Sequence, residues 1–77
     1  MSTVFDELGA FVRERRKAEG LTQEDLANMA GVGRRFVSEL EGGKRSLRLD
    51  SVEAVLRVFG RGLGVVERRG NHDESAA

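Results

Sequence analysis

The stretch that decides the fold is Leu21-Thr22-Gln23-Glu24-Asp25-Leu26-Ala27-Asn28-Met29-Ala30-Gly31-Val32-Gly33-Arg34-Arg35-Phe36-Val37-Ser38-Glu39-Leu40-Glu41-Gly42-Gly43-Lys44. Thr22 is a helix cap, with Asp25 three residues on in a near-capping-box arrangement. Leu26, Met29 and Ala30 then form an apolar side, which predicts a helix over about 23–29. Gly31 stands where a helix end needs a left-handed residue, a conformation glycine adopts without steric cost. A second short helix follows over about 34–41, with Val37 and Leu40 facing inward and Gly42-Gly43 ending it. Position 33, a cap position usually filled by Ser or Thr, holds Gly33, which caps only slightly less well and allows close backbone approach. Ala27 has to be small, because the two helices cross near it. Val32, Val37 and Leu40 fill the space beneath.

On the N-terminal side, Val4, Leu8, Phe11, Val12 and Ala18 recur at helical spacing and predict a helix over about 4–18. Thr3 or Ser2 caps it, and Asp6 and Glu7 favour its positive end. On the C-terminal side, Leu49, Val52, Val55, Leu56 and Phe59 form a wide stripe on a helix over about 49–59, closed by Gly60 and Gly62. Leu63-Gly64-Val65-Val66-Glu67-Arg68-Arg69 is β-branched in the middle and reads as a strand. A lone strand leaves its backbone donors and acceptors unpaired, and the simplest partner is the same strand of a second copy, antiparallel about a two-fold axis. Residues Leu63, Val65, Val66 and Glu67 are thus the expected dimer contact. The chain divides into a helical domain over 1–62, a dimerising strand over 63–69 and a polar, disordered tail over 70–77. No internal repeat is evident.

Composition narrows the possibilities. A chain of 77 residues makes one small domain, which buries only about 60% of its unfolded surface. Without cysteine, neither disulfides nor thiolate zinc sites are available, and the single histidine, His72, has no ligand companions. No metal or cofactor is expected. The absence of Trp and Tyr argues against broad base-stacking platforms. Net charge is zero but uneven: −2 over residues 1–12, +3 over 13–48 and −1 over 49–77. The basic excess coincides with the two-helix run. No apolar stretch approaches a membrane span, and the N-terminus lacks a signal peptide's positive start and apolar core, so a cytoplasmic protein is expected. Gly60-Arg61-Gly62-Leu63-Gly64 follows a helix and precedes a strand, the reverse of the dinucleotide-binding order. There is no nucleophile–base arrangement and no room for a sizeable pocket, so catalysis is not expected.

The remaining chemistry lies on the outer face of the second short helix: Gly33, Arg34, Arg35, Ser38 and Glu39. Two adjacent arginines at the start of a helix held by a tight turn are what is needed to read a DNA major groove. Arginine can donate two hydrogen bonds to the guanine edge, worth about 1–3 kcal/mol of discrimination. Glu39 can accept from cytosine, or simply repel phosphate at wrong sites. Gln23, at the start of the preceding helix, is placed for a phosphate oxygen, together with nearby backbone N–H groups. On the other side, Gly42, Gly43, Lys44 and Arg45 are placed for phosphate, which sets register and carries no sequence information. Glu24 and Asp25 favour the helix dipole and are not DNA contacts.

The signature Arg16, Gly20-Leu21-Thr22-Gln23, Leu26-Ala27, Gly31-Val32, Val37, Leu40-Glu41 and Gly43-Lys44 resembles the Cro/C1 (XRE) family of helix-turn-helix regulators over about residues 5–60. The resemblance implies an all-α, lambda-repressor-like bundle of four to five helices that binds a palindromic operator in double-stranded DNA as a homodimer. It also implies an ion pair between Arg16 and Glu41. The strand following the last helix is similar to the HipB-type antitoxins, which implies an autoregulating repressor of a toxin–antitoxin operon with a HipA-like kinase toxin as partner. Two departures are Gly33 at the usual Ser/Thr cap and Phe36 where a small polar residue is common. Phe36 is placed among the backbone contacts, against sugar or a thymine methyl. The rival expectation is a protein-interaction module that neutralises a toxin or binds another regulator without reading DNA.

Overall fold

The computed structural model describes residues 3–67. They form four helices, α1 (Val4–Ala18), α2 (Gln23–Ala30), α3 (Arg34–Glu41) and α4 (Leu49–Val58), with no strand among the described residues. Helix ends agree with the expected spans to within one residue, the usual scatter of such boundaries.

Local chemistry starts the helices. Thr3 caps α1: its hydroxyl accepts from the Asp6 N–H at 3.3 Å, and the Asp6 carboxylate accepts from the Thr3 N–H at 3.2 Å. Thr22 and Asp25 repeat the reciprocal box on α2, at 3.0 and 2.9 Å. Asp25 is held below the usual carboxylate range by the N–H and hydroxyl of Thr22. Gly31 ends α2 at φ 74°, ψ 31°, the left-handed region expected of it. The Ala27 carbonyl there accepts from both Gly31 and Val32 N–H groups. Gly33 and Arg48 occupy the caps of α3 and α4, and neither provides a side-chain hydrogen bond.

All four helices feed one core. Val12 comes from α1, Leu26 and Ala27 from α2, Val37 and Leu40 from α3, and Val52, Val55 and Leu56 from α4, with Phe59 just beyond it. Phe59 meets the Phe11 ring edge-on, centroids 6.3 Å apart and planes at 83°. Burial of this kind, at about 25 cal/mol per Å², drives the fold. It has to, because helices of eight residues are too short to be stable alone.

Several apolar residues assigned to the inner faces are exposed. Val4 and Leu49 are the first residues of their helices, where the stripe has not yet reached the neighbouring element, and they are 58% and 69% exposed. Met29 is 58% exposed. At 100° per residue it lies roughly 110° from the line between Leu26 and Ala27 that points to the core. Ala18, at the end of α1, is also exposed.

The strand expected over 63–69 is likewise corrected in its described part. Residues 63–67 carry no regular structure, and Val65 and Val66 are 103% and 80% exposed. A strand is defined by a partner ladder, and nothing in a single helical chain supplies one. The rest of that segment and the tail over 70–77 lie outside the described residues.

Candidate nucleic-acid interface

The platform beneath the candidate interface is a buried charge network. Arg16, late in α1, directs Nε to Glu41 Oε2 at 2.6 Å and Nη2 to Oε1 at 3.0 Å. This is a two-pronged pair at the end of α3. Arg16 Nη1 donates to the Leu21 carbonyl at 2.8 Å, which ties the α1–α2 turn to the same group. Gln23 Nε2 donates to Glu41 Oε1 at 3.2 Å. The Arg16 and Glu41 side chains are only 11% and 6% exposed. Burial pushes the Glu41 carboxyl up, but hydrogen bonds from Arg16 and Gln23 outweigh it and hold it below the usual range. The hydrogen bond to Glu41 raises Arg16. Among the described residues no buried side-chain polar atom lacks a partner, which is the condition under which a buried pair is tolerated.

A second close contact lies next to this network. A Cβ on Gly9 would stand 2.5 Å from the Leu40 carbonyl oxygen and 2.8 Å from that of Glu41. α1 therefore crosses the last turn of α3 backbone against backbone, and Arg16 projects from the same face of α1 two turns further on.

On this platform the outer face of α3 is open. Gly33, Arg34, Arg35 and Ser38 are exposed. Among the described residues Arg34 forms no ion pair, whereas Arg35 Nε lies 3.2 Å from Glu39 Oε2. Phe36 is half-buried and packs against the core. Gln23 commits one donor to Glu41, so its other amide N–H remains for an anion, with the Gln23 and Glu24 backbone N–H groups that the Thr22–Asp25 box leaves unused. Beyond α3, Gly42, Lys44 and Arg45 are exposed and Gly43 takes φ 81°. Lys44 Nζ lies 3.3 Å from Glu39 Oε1, and the Arg45 guanidinium sits over the Phe5 ring at 5.6 Å.

The fold adds two cations not singled out by the sequence reading. Arg13 and Lys17, one turn apart on α1, line an open groove with Arg16, Gln23, Ser38, Gly42 and the Arg16-paired Glu41. The groove runs from the α2 start to the outer face of α3. Their i, i+4 spacing within the basic span is the signal the sequence carries, and only the fold brings it beside the α3 face. Among the described residues there is no group of three or more His, Cys, Asp or Glu side chains that would hold a metal ion. No helix there is long and apolar enough to cross a membrane.

Two short helices joined at a left-handed glycine, the second presenting arginines from a rigid bundle, define a helix-turn-helix module. Residues 12–66 match the Helix-turn-helix (HTH_3) family, and the chain belongs to it. It is 41% identical over 66 residues to the uncharacterised HTH-type transcriptional regulator y4mF of Sinorhizobium fredii (strain NBRC 101917 / NGR234), covering 82% of this chain and 87% of the relative. It is 44% identical over 50 residues to an uncharacterised HTH-type transcriptional regulator of Methanothermobacter thermautotrophicus, covering 65% of this chain and 72% of that one. Among solved structures it resembles a tyrosine-to-alanine mutant of the restriction-modification controller protein C.Esp1396I, with TM-score 0.64 and 29% identity over 71% of each chain.

Proposed function

We propose that this protein is a transcriptional repressor that binds double-stranded DNA sequence-specifically. The observation that carries this reading is the outer face of α3. Arg34, Arg35 and Ser38 stand exposed there, on a helix whose base is locked by the Arg16–Glu41 pair. The base contacts are assigned to Gly33, Arg34, Arg35, Ser38 and Glu39. The phosphate contacts are assigned to Gln23, Phe36, Gly42, Gly43, Lys44 and Arg45, now joined by Arg13 and Lys17. The family and the regulator names of its relatives support the class.

The narrower proposal is a homodimer reading a palindromic operator, with recognition helices one DNA turn apart, about 34–36 Å. The exposed Leu63, Val65, Val66 and Glu67 would pair across the two-fold. An autoregulating antitoxin with a HipA-like kinase partner is the most specific form of this reading, and it rests on that C-terminal segment alone. A kinase-like reading frame beside the gene is the observation that would support it.

The direct test is titration of labelled promoter DNA against rising salt. A specific binder loses affinity steeply as salt rises. Arg34→Ala or Arg35→Ala should each cost about 1–3 kcal/mol at the operator if the residue reads a base. Equal binding to promoter and random duplex would instead favour a protein-interaction module.

A further inference from the structure

We propose that Glu39 is a specificity-determining residue of the α3 face: in the free protein it holds Arg35 and Lys44, and it yields them fully only to a duplex that offers its carboxylate a donor in return. The inference rests on the DNA-binding reading above and adds to it a competitor for DNA built into the reading helix.

The geometry is specific. Each Glu39 oxygen takes one cation, Oε2 facing Arg35 Nε at 3.2 Å and Oε1 facing Lys44 Nζ at 3.3 Å. Arg35 precedes Glu39 by one helical turn, whereas Lys44 returns to it across the Gly42–Gly43 bend. The Lys44 N–H also donates to the Glu39 carbonyl at 3.1 Å, so the bend keeps the ammonium beside the carboxylate. The two cations remain 92% and 48% exposed while Glu39 is 28% exposed. The carboxylate is thus flanked by its cations, yet both can be withdrawn by an outside partner.

The arginines of α3 are therefore unequal. Arg34 has no ion pair among the described residues and is available at first encounter. Arg35 and Lys44 arrive sharing one carboxylate, which offsets half of their charge. Exposed pairs of this kind are weak, so phosphate or a guanine edge can compete for the cations. Once they leave, Glu39 faces a polyanion unpaired. In the major groove a cytosine N4 amino group can donate to it, whereas on other sequences no such donor compensates the repulsion. The penalty falls on wrong sites more than on the right one, which makes Glu39 a source of discrimination at the expense of raw affinity.

The test compares the wild-type protein with Glu39→Gln, which keeps side-chain length and removes the charge. The probes are a duplex selected from a random library by the wild type and a scrambled duplex of the same composition, followed by fluorescence anisotropy across a salt series. Glu39→Gln should bind the scrambled duplex about tenfold more tightly, with a salt slope steeper by about one to two, as Arg35 and Lys44 pass to phosphates. Its gain on the selected duplex should be smaller, so discrimination falls. In an Arg35→Ala background the gain should shrink. Glu53→Gln, which removes an exposed carboxylate from α4, is the control for net charge. Equal gains from Glu39→Gln and Glu53→Gln, or equal gains on both duplexes, would overturn the proposal. Wild-type binding with an unchanged Glu39→Gln variant would sink it alone, whereas failure of both to bind any duplex would remove the repressor reading beneath it.

Discussion

Glu41 is a carboxylate almost out of contact with water, and its neighbours show why it is tolerated. Arg16 meets both its oxygens, and Gln23 adds a third hydrogen bond. Removing one member of such a pair leaves the other charge buried and uncompensated, at about 3–5 kcal/mol. A domain of this length has a total margin of about 4–12 kcal/mol. Glu41→Ala is therefore expected to lose much of its helical circular dichroism at 37 °C. A variant melting like the wild type would show that the pair contributes little. The pH dependence follows from the lowered carboxyls. The folded state holds Glu41 below its ordinary value of 4.5, so the unfolded chain takes up the proton first as pH falls. The contribution is complete above that ordinary value and is lost as pH drops through the lowered folded value. Asp25 acts with the same sign through its cap. Melting temperature should hold steady down to about pH 5 and then fall, with a shallower fall in Glu41→Gln. A wild-type profile that stayed flat down to about pH 3 would contradict this assignment.

Among the elements, the crossing of α1 over the end of α3 sets the angle at which α3 is presented. Gly9 is the residue that permits it, and helix propensity alone misjudges it. By propensity, Gly9→Ala should stabilise α1 by about 1 kcal/mol. By packing, the new Cβ would lie 2.5 Å from a backbone carbonyl oxygen that cannot rotate away. Overpacking costs about 1–3 kcal/mol, so packing wins and the variant should melt lower by about 4–8 °C for each kcal/mol lost. A rise in melting temperature would mean that the helices stand further apart than described. Gly9 is silent in the sequence because a mid-helix glycine carries no periodic signal. Its meaning depends on which element crosses there, and that is a long-range fact.

For the molecule as a whole, the proposed dimer makes the segment beyond α4 the surface to test. Val65 and Val66, largely exposed beyond α4, offer apolar surface that a second copy can cover. In the proposed dimer, pairing that segment across a two-fold axis would bury those side chains. Deleting residues 63–77 should therefore convert a dimer to a monomer in sedimentation and lower operator affinity with it. An unchanged dimer after deletion would place the contact elsewhere, for instance around the exposed Leu49 or Met29.

What the sequence determined by itself was local. The threonine caps with their aspartates, the left-handed Gly31 and the 3.6-residue periodicity each act within a few residues, so four helices and the turn between α2 and α3 were legible to within a residue. The pairing of Arg16 with Glu41 was legible only as a family resemblance, because those residues lie 25 positions apart, with α2 and two turns between their helices. Only the tertiary structure decided that Gln23 is shared with Glu41, that Met29, Val4 and Leu49 face water, that Glu39 is flanked by two cations, and that Arg13 and Lys17 join the α3 face. Each of these depends on which surfaces meet when helices pack, and burial and charge pairing between distant segments leave no periodic trace along the chain.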